Sequence, residues 1–186
     1  MEKGNNTLIA VRTACAIAMA ALATTAAAQA LSVRGAFVQG GAADHDARSL
    51  GVGVIGGAAW QRDQSIGRLS LHGEAYVARW GADLPAGGHR DYWQLVAIPV
   101  LRLQFGASPF FAEAGIGLSY MDRLYRTPGK QFSTRLNFAD VLAAGYAFGA
   151  QRESELSLRL SHFSNAGIRQ PNPGENLYQL RYTRRF

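Results

Sequence analysis

The sequence predicts an all-β fold, an eight-stranded antiparallel transmembrane β-barrel, and three observations carry the prediction. Eight successive segments alternate polar and apolar residues with period two, and no long helical stripe interrupts them. The first thirty residues read as an export signal. Aromatic residues gather near strand ends (Trp80, Tyr92, Trp93, Tyr120, Tyr125 and Tyr178), where the interfacial girdles of a membrane barrel are expected.

Taken in chain order, Lys3 and Arg12 flank a polar start, Ala14 to Ala23 is almost wholly apolar, and Ala28-Gln29-Ala30 is a small-x-small cleavage site. Residues 1–30 are therefore expected to be a signal peptide and residues 31–186 the barrel domain. The apolar run is shorter than the roughly 20 residues that a spanning helix needs. Cys15, the single cysteine, falls inside that signal, so the exported domain has no disulfide or thiol chemistry. The whole chain carries a net charge of +6, about +5 without Glu2, Lys3 and Arg12. A basic exported protein suits anionic lipid or polysaccharide. No basic helix or aromatic RNA-binding strand motif is present, which argues against nucleic acid.

The expected strands are residues 31–40, 47–57, 67–80, 90–103, 109–121, 133–148, 153–163 and 176–186. In the third, Leu69, Leu71, Ala75 and Val77 oppose Ser70, His72, Glu74 and Tyr76. In the fourth, Trp93, Leu95, Ala97, Leu101 and Leu103 form the apolar row. In the fifth, Phe110, Ala112, Ala114, Ile116, Leu118 and Tyr120 oppose Glu113, Gly115, Gly117 and Ser119. In the last, Tyr178, Leu180, Tyr182 and Phe186 oppose Gln179, Arg181, Thr183 and Arg185. That terminal strand resembles the C-terminal signature of bacterial outer-membrane proteins, which implies recognition of Phe186 by the barrel assembly machinery. Alternation alone does not say which face is wet; the signal, the aromatic residues and the terminal phenylalanine favour apolar faces turned to lipid.

Eight strands leave a lumen just wide enough for side chains. His72, Glu74 and Glu113, with Arg68, Arg102, Arg159 and Arg181, are expected to fill it as a paired polar network rather than a proton pathway. With both termini in the periplasm, the short connections near 104–108 and 149–152 become periplasmic turns. The segments near 41–46, 81–89, 122–132 and 164–175 become outer loops.

The seventh strand holds the residues most suggestive of chemistry. In Leu158-Arg159-Leu160-Ser161-His162-Phe163-Ser164-Asn165, period two puts His162 and Ser164 on the apolar face with Leu156, Leu158 and Leu160. Residues i and i+2 of a strand share a face about 6.5–7 Å apart, a gap that an imidazole and a hydroxyl can span. A serine hydroxyl needs such a base to act as a nucleophile, and the base needs a third group to orient it. Two unconnected polar residues at a strand end would look the same. On the lipid-facing side, such a pair fits an enzyme whose substrate is a membrane lipid.

The run continues as Ser164-Asn165-Ala166-Gly167-Ile168, then Gln170-Pro171-Asn172-Pro173-Gly174-Glu175-Asn176, and a terminal strand ending in an aromatic residue. This stretch of about 25 residues resembles the PagL family of lipid A 3-O-deacylases, eight-stranded outer-membrane barrels that remove the ester-linked acyl chain at position 3 of lipid A. The rest of the chain agrees in architecture, signal and length. The resemblance implies Ser164 as nucleophile and His162 as general base. It implies the backbone N–H of Gly167 and the side chain of Asn172 as oxyanion donors, with Asn165 a further candidate. It also implies a glutamate fourteen residues after the histidine, where this chain has Asn176. Glu175 lies one residue earlier, and a one-residue loop shift would bring it to His162. Glu175 is favoured as the third member, with Asn176 as the alternative in the way asparagine serves papain-like proteases.

The scheme needs no metal or other cofactor. Asp44-His45-Asp46 offers three liganding types in a row, awkward for one ion and more in keeping with a solvated loop. Arg126, Lys130 and Arg169 are weaker candidates for lipid A phosphates. The expected partners are lipid A in lipopolysaccharide as substrate, the bacterial outer membrane with the site at its outer leaflet, and the assembly machinery; a homodimer stays open. Two readings compete with the deacylase: a phospholipase-type outer-membrane esterase and a non-enzymatic structural or adhesion barrel. A lipid A palmitoyltransferase would need a lumenal acyl pocket.

Overall fold

In the computed structural model, which describes residues 32–43 and 47–186, eight strands pair in sequence order and close into an antiparallel barrel. They are β1 (Val33–Ala43), β2 (Arg48–Gln64), β3 (Gly67–Asp83), β4 (His89–Gln104), β5 (Phe110–Met121), β6 (Leu136–Phe148), β7 (Ser154–Ser164) and β8 (Glu175–Arg185). Closure comes from β1 against β8, in register from Gly35↔Arg185 to Ala43↔Leu177. The expected strand order and count hold. The second strand runs seven residues past its expected end at 57, which makes the wall tallest along β2 to β4. The expected signal peptide and Asp44-His45-Asp46 lie outside the described residues.

Period two decides the two faces. Leu95, Leu118, Leu142, Leu158 and Leu180 point outward and are exposed. On the alternate parity His72, Glu74, Arg102, Glu113, Arg159 and Arg181 point inward and are buried. The interior charges form a chain of shared pairs. Arg102 bonds Glu113 at 3.0 Å and Glu155 at 2.8 Å, and Arg159 joins Glu113 at 2.8 Å to Glu74 at 3.1 Å. Arg181 bonds Glu74 at 2.8 Å and donates to Gln39 Oε1. His72 Nε2 lies 3.5 Å from Glu74. His72, Glu74 and Glu113 bring ligand atoms within 4.8 Å of one another, but each carboxylate is already divided between two guanidiniums. Losing one partner from such a buried network costs about 3–5 kcal/mol. Arg68 is not part of it: it sits exposed at the end of β3, paired with Asp63.

A second correction concerns the aromatic residues. Trp93, Tyr120 and Tyr178 do face outward near one rim, and Trp60, Tyr146, Phe148 and Tyr182 do so near the other. Trp80, Tyr92 and Tyr125, expected in the girdle, are instead fully buried. Trp80 shares its parity with Glu74, and Tyr92 is one residue from outward Trp93, so both turn into the lumen. The β5–β6 connection folds inward over them. Tyr125 packs on Trp80, Tyr92 and Phe132 with ring centroids 5.1–5.5 Å apart, and Phe163 of β7 packs on Trp80 at 5.4 Å. This plug fills the end of the barrel at which β7 stops and β8 begins. Ion pairs occupy the middle of the lumen, an interior that does not suit a lipid tail.

Candidate active site

Phe163 anchors in the aromatic plug, so its neighbours His162 and Ser164 are held on the opposite, outward face. Register fixes what surrounds them. Asp140 of β6 pairs with His162, and His162 with Asn176 of β8, so the three side chains form one row across the lipid-facing wall, continued by Ile116 of β5. The row beyond it contains Phe138 opposite Ser164. The row on the other side contains Leu142 opposite Leu160 and Leu160 opposite Tyr178.

His162 Nδ1 lies 2.7 Å from Asn176 Oδ1. An amide oxygen only accepts, so Nδ1 carries the proton and Nε2 of the neutral ring is left with its lone pair. That is the tautomer a general base requires. Glu175 does not take this position. It has the opposite parity, is buried, and accepts hydrogen bonds from Tyr125 Oη at 3.1 Å and Lys130 Nζ at 2.7 Å. The one-residue shift that would exchange Glu175 for Asn176 would turn the start of β8 inside out. Ser164 is half-buried at the end of β7 and shares the outward face with His162; no hydrogen bond joins the two among the described residues.

The β7–β8 connection starts with a tight turn. Ile168 N–H donates to Asn165 O at 3.1 Å, with Ala166 and Gly167 at φ of 54° and 78°. Positive φ at both central positions is a type I′ turn, and at Ala166 it costs roughly 1–2 kcal/mol. Such strain is characteristic of functional segments. Asn165 organises the loop. Its backbone N–H donates to Asn172 Oδ1 at 3.0 Å, and its Oδ1 accepts from Gly167 N–H at 3.0 Å. Its Nδ2 donates to Ser133 Oγ at 2.9 Å and to Arg169 O at 2.8 Å. The expected oxyanion donors are thereby sorted. Asn165 is buried and its amide is fully used, and the Gly167 N–H is turned to Asn165. Asn172 accepts with its oxygen, and its Nδ2 makes no hydrogen bond among the described residues.

The sequence model of the family described as lipid A 3-O-deacylase (PagL) matches residues 49–185. The chain belongs to this family. It is 38% identical over 121 residues to the lipid A deacylase PagL of Bordetella bronchiseptica, a match covering 64% of this chain and 65% of that protein. The chain thus spans just under two thirds of that relative's length. It is 34% identical over 134 residues to the lipid A deacylase PagL of Pseudomonas aeruginosa, covering 68% of this chain and 73% of that protein. Among solved structures it resembles the crystal structure of the outer-membrane enzyme PagL, with a TM-score of 0.67 and 26% identity over 82% of this chain and 99% of that one.

Of the remaining expected site residues, Arg126 and Arg169 are exposed at the rim of this PagL-family barrel. Lys130 is not available to a phosphate in the same way, because it holds the β5–β6 connection down on buried Glu175. Ser133, which also accepts through Oγ while donating to Arg169 O at 2.8 Å, ties that connection to the β7–β8 loop. No local pattern in the sequence announces Ser133, because its partners lie more than thirty residues away. Asp140, which register sets directly across from His162, has no counterpart among the expected site residues, although an acid on the face of Phe138 and Leu142 is visible in the alternation.

Gly174 sets the last element of the site. Its φ is 64°, and a Cβ there would lie 2.6 Å from His162 Cε1 and 3.1 Å from Nε2. Gly174→Ala is therefore expected to displace the imidazole and lower kcat by about 10²-fold, as misplacement of about 1 Å does. Steady-state ester hydrolysis, with folding followed by heat-dependent gel mobility, checks this.

Proposed function

We propose that this protein hydrolyses the ester-linked acyl chain at position 3 of lipid A in the outer leaflet of a bacterial outer membrane. The observation that carries the reading is the outward row of His162 and Asn176 beside Ser164 on a barrel whose lumen is filled. A substrate can reach these groups only from the lipid side. A groove of about 310 Å³ lined by Ala114, Ile116, Leu142 and Leu160 begins at His162. It shares Leu142 and Leu160 with a second groove of about 710 Å³ running between β6 and β8. Together they offer an acyl chain a track down the wall.

In the reaction, Ser164 Oγ attacks the ester carbonyl carbon as His162 Nε2 takes its proton. Unliganded enzymes often hold this bond long and tighten it with substrate present. The oxyanion is met by Asn172 Nδ2. Collapse breaks the bond to the sugar oxygen, which leaves with the proton from His162 and gives an acyl-serine. Water then attacks the acyl carbon, losing a proton to His162, and the fatty acid departs as Ser164 regains its hydrogen. Asn176 holds the ring throughout and spreads part of the imidazolium charge.

An export signal in residues 1–30 and assembly through Phe186, exposed at the opposite end from the site, fit this location, with the long connections outward. Mass spectrometry of lipid A from cells with and without the protein tests the reading. Loss of one 3-linked acyl chain is expected. Unchanged lipid A with cleaved glycerophospholipid would point to a phospholipase, and no change in either to a non-enzymatic barrel.

A further inference from the structure

We infer that Ser133, in the β5–β6 connection, is a positioning residue for the oxyanion site: its hydroxyl fixes the Asn165 amide and, through it, the side chain of Asn172. This role rests on Ser164 performing the hydrolysis with Asn172 Nδ2 as the oxyanion donor. Three groups close a ring of hydrogen bonds. Asn165 Nδ2 donates to Ser133 Oγ at 2.9 Å and to Arg169 O at 2.8 Å, and Ser133 Oγ donates to the same Arg169 O at 2.8 Å. Only a hydroxyl both accepts and donates from one atom at such a corner. Asn165 follows Ser164 in the chain, and its N–H donates to Asn172 Oδ1 at 3.0 Å. Asn172 is thereby tied to the backbone next to the nucleophile.

Ser133 is itself set from both sides. Phe132 before it is buried in the aromatic plug, with its N–H on Tyr125 O at 2.9 Å and its ring 5.1 Å from that of Tyr125. Thr134 after it donates through Oγ1 to Asn137 Oδ1 at 3.1 Å, and Asn137 Nδ2 donates to Thr134 O at 3.2 Å, where β6 begins. The hydroxyl is a fixed point on a different element from the loop it holds. The same connection grips the far end of that loop, where Tyr125 and Lys130 meet Glu175. Alanine at 133 removes an acceptor and a donor together. One Asn165 N–H is then buried without a partner, which favours turning the amide, and Arg169 O loses one of its two donors. The turn from Asn165 to Ile168 and the bond to Asn172 move with that amide. None of these bonds reaches His162, whose Nδ1–H is held by Asn176.

The test is a double-mutant cycle between Ser133→Ala and Asn172→Ala, read as release of fatty acid from lipid A in detergent micelles and normalised to the heat-modifiable, folded fraction. Ser133→Ala is expected to lower kcat by about 10- to 50-fold, less than the 10²- to 10³-fold typical of a lost oxyanion donor, with KM within about twofold. In the Asn172→Ala background the same change is expected to cost about twofold or less, because the donor it positions is gone. Ser133→Thr, which keeps the hydroxyl, is expected to hold kcat within about threefold of wild type. The pH dependence of kcat/KM is expected to stay that of wild type. Should Ser133→Ala assemble poorly, Ser133→Cys, of similar size but weak in hydrogen bonding, is read in the same cycle. Equal losses with and without Asn172 would overturn the inference, as would an unchanged kcat or a loss with threonine as large as with alanine. A displaced pH profile would overturn it in favour of action through His162. Full activity of Ser164→Ala would instead sink the hydrolase reading itself.

Discussion

Ser164→Ala is expected to lower the rate of 3-O-deacylation by about 10³- to 10⁶-fold while the barrel remains folded. The activity loss follows from chemistry: the acyl-enzyme cannot form, and only binding and the oxyanion donor remain. The intact fold follows from position. Ser164 is the last residue of β7 and faces outward, so its hydroxyl belongs neither to the ion-pair network nor to the aromatic plug. Phe163 on one side and the Asn165 hub on the other hold the backbone whatever the side chain at 164. A surface change of this kind shifts stability by about 0.5 kcal/mol or less. His162→Ala should cost a similar factor, and the double variant little more than either alone, because the two act as a unit. The measurement is release of fatty acid from lipid A in micelles, normalised to the heat-modifiable, folded fraction. Wild-type release by Ser164→Ala would rule out the serine mechanism.

The location of the pair also constrains how substrate arrives. Arg102, Arg159 and Arg181 close the lumen with Glu74, Glu113 and Glu155, and Trp80, Tyr92, Tyr125 and Phe132 close its end. On the proposed reading an acyl chain does not enter a lumen so filled, and the substrate stays in its leaflet. On that reading, binding energy comes from the grooves along β6 to β8 and from polar groups at the rim, with Asn172 and exposed Arg169 as candidates. Such a lipid-side site would separate the protein in kind from a barrel enzyme that swallows its acyl chain.

What the sequence made legible was mainly what strand parity controls. The alternation in β3, β4, β5 and β8 separated the two faces, the signal and the terminal phenylalanine favoured the apolar one for lipid, and the parity of β7 put His162 and Ser164 on that face with Leu156, Leu158 and Leu160. Parity also held the answer for Trp80 and Tyr92, but residue type misled: an aromatic near a strand end suits a girdle and a plug equally well. Tyr125 had no parity to read, since it sits in a connection whose inward fold depends on Trp80 and on Glu175 fifty residues later. The oxyanion donors were legible as a motif but not as roles. Asn165, Gly167 and Asn172 share a loop, and only the bond to Ser133 shows that the Asn165 amide is occupied in holding the loop, which leaves Asn172 as the proposed donor. The third member depended on register, the property least visible in one chain. A single residue separates Glu175 from Asn176, and a single residue is the difference between the two faces.

That separation makes the second large effect testable at adjacent positions. Asn176→Leu is expected to lower kcat by about 10²- to 10⁴-fold, since the ring loses the acceptor that fixes its tautomer. Asn176→Asp is expected to keep or raise activity, because an isosteric carboxylate preserves the 2.7 Å bond to Nδ1 and adds a charge that favours the imidazolium. Glu175→Gln is expected to leave kcat within about threefold of wild type, for the amide oxygen still accepts from Tyr125 or Lys130. Its cost falls on stability instead. The charge that Lys130 meets across a largely buried pair is gone, so urea unfolding in detergent should show about 1–3 kcal/mol of destabilisation. Position 176 behaves the other way: Asn176 is on the exposed face, and its replacement should scarcely move the unfolding midpoint. Kinetics and unfolding thus separate the two residues along different axes. A deacylase that survives Asn176→Leu but dies with Glu175→Gln, at unchanged stability, would mean that β8 shifts by one residue in the working enzyme and that the acid orients His162 after all.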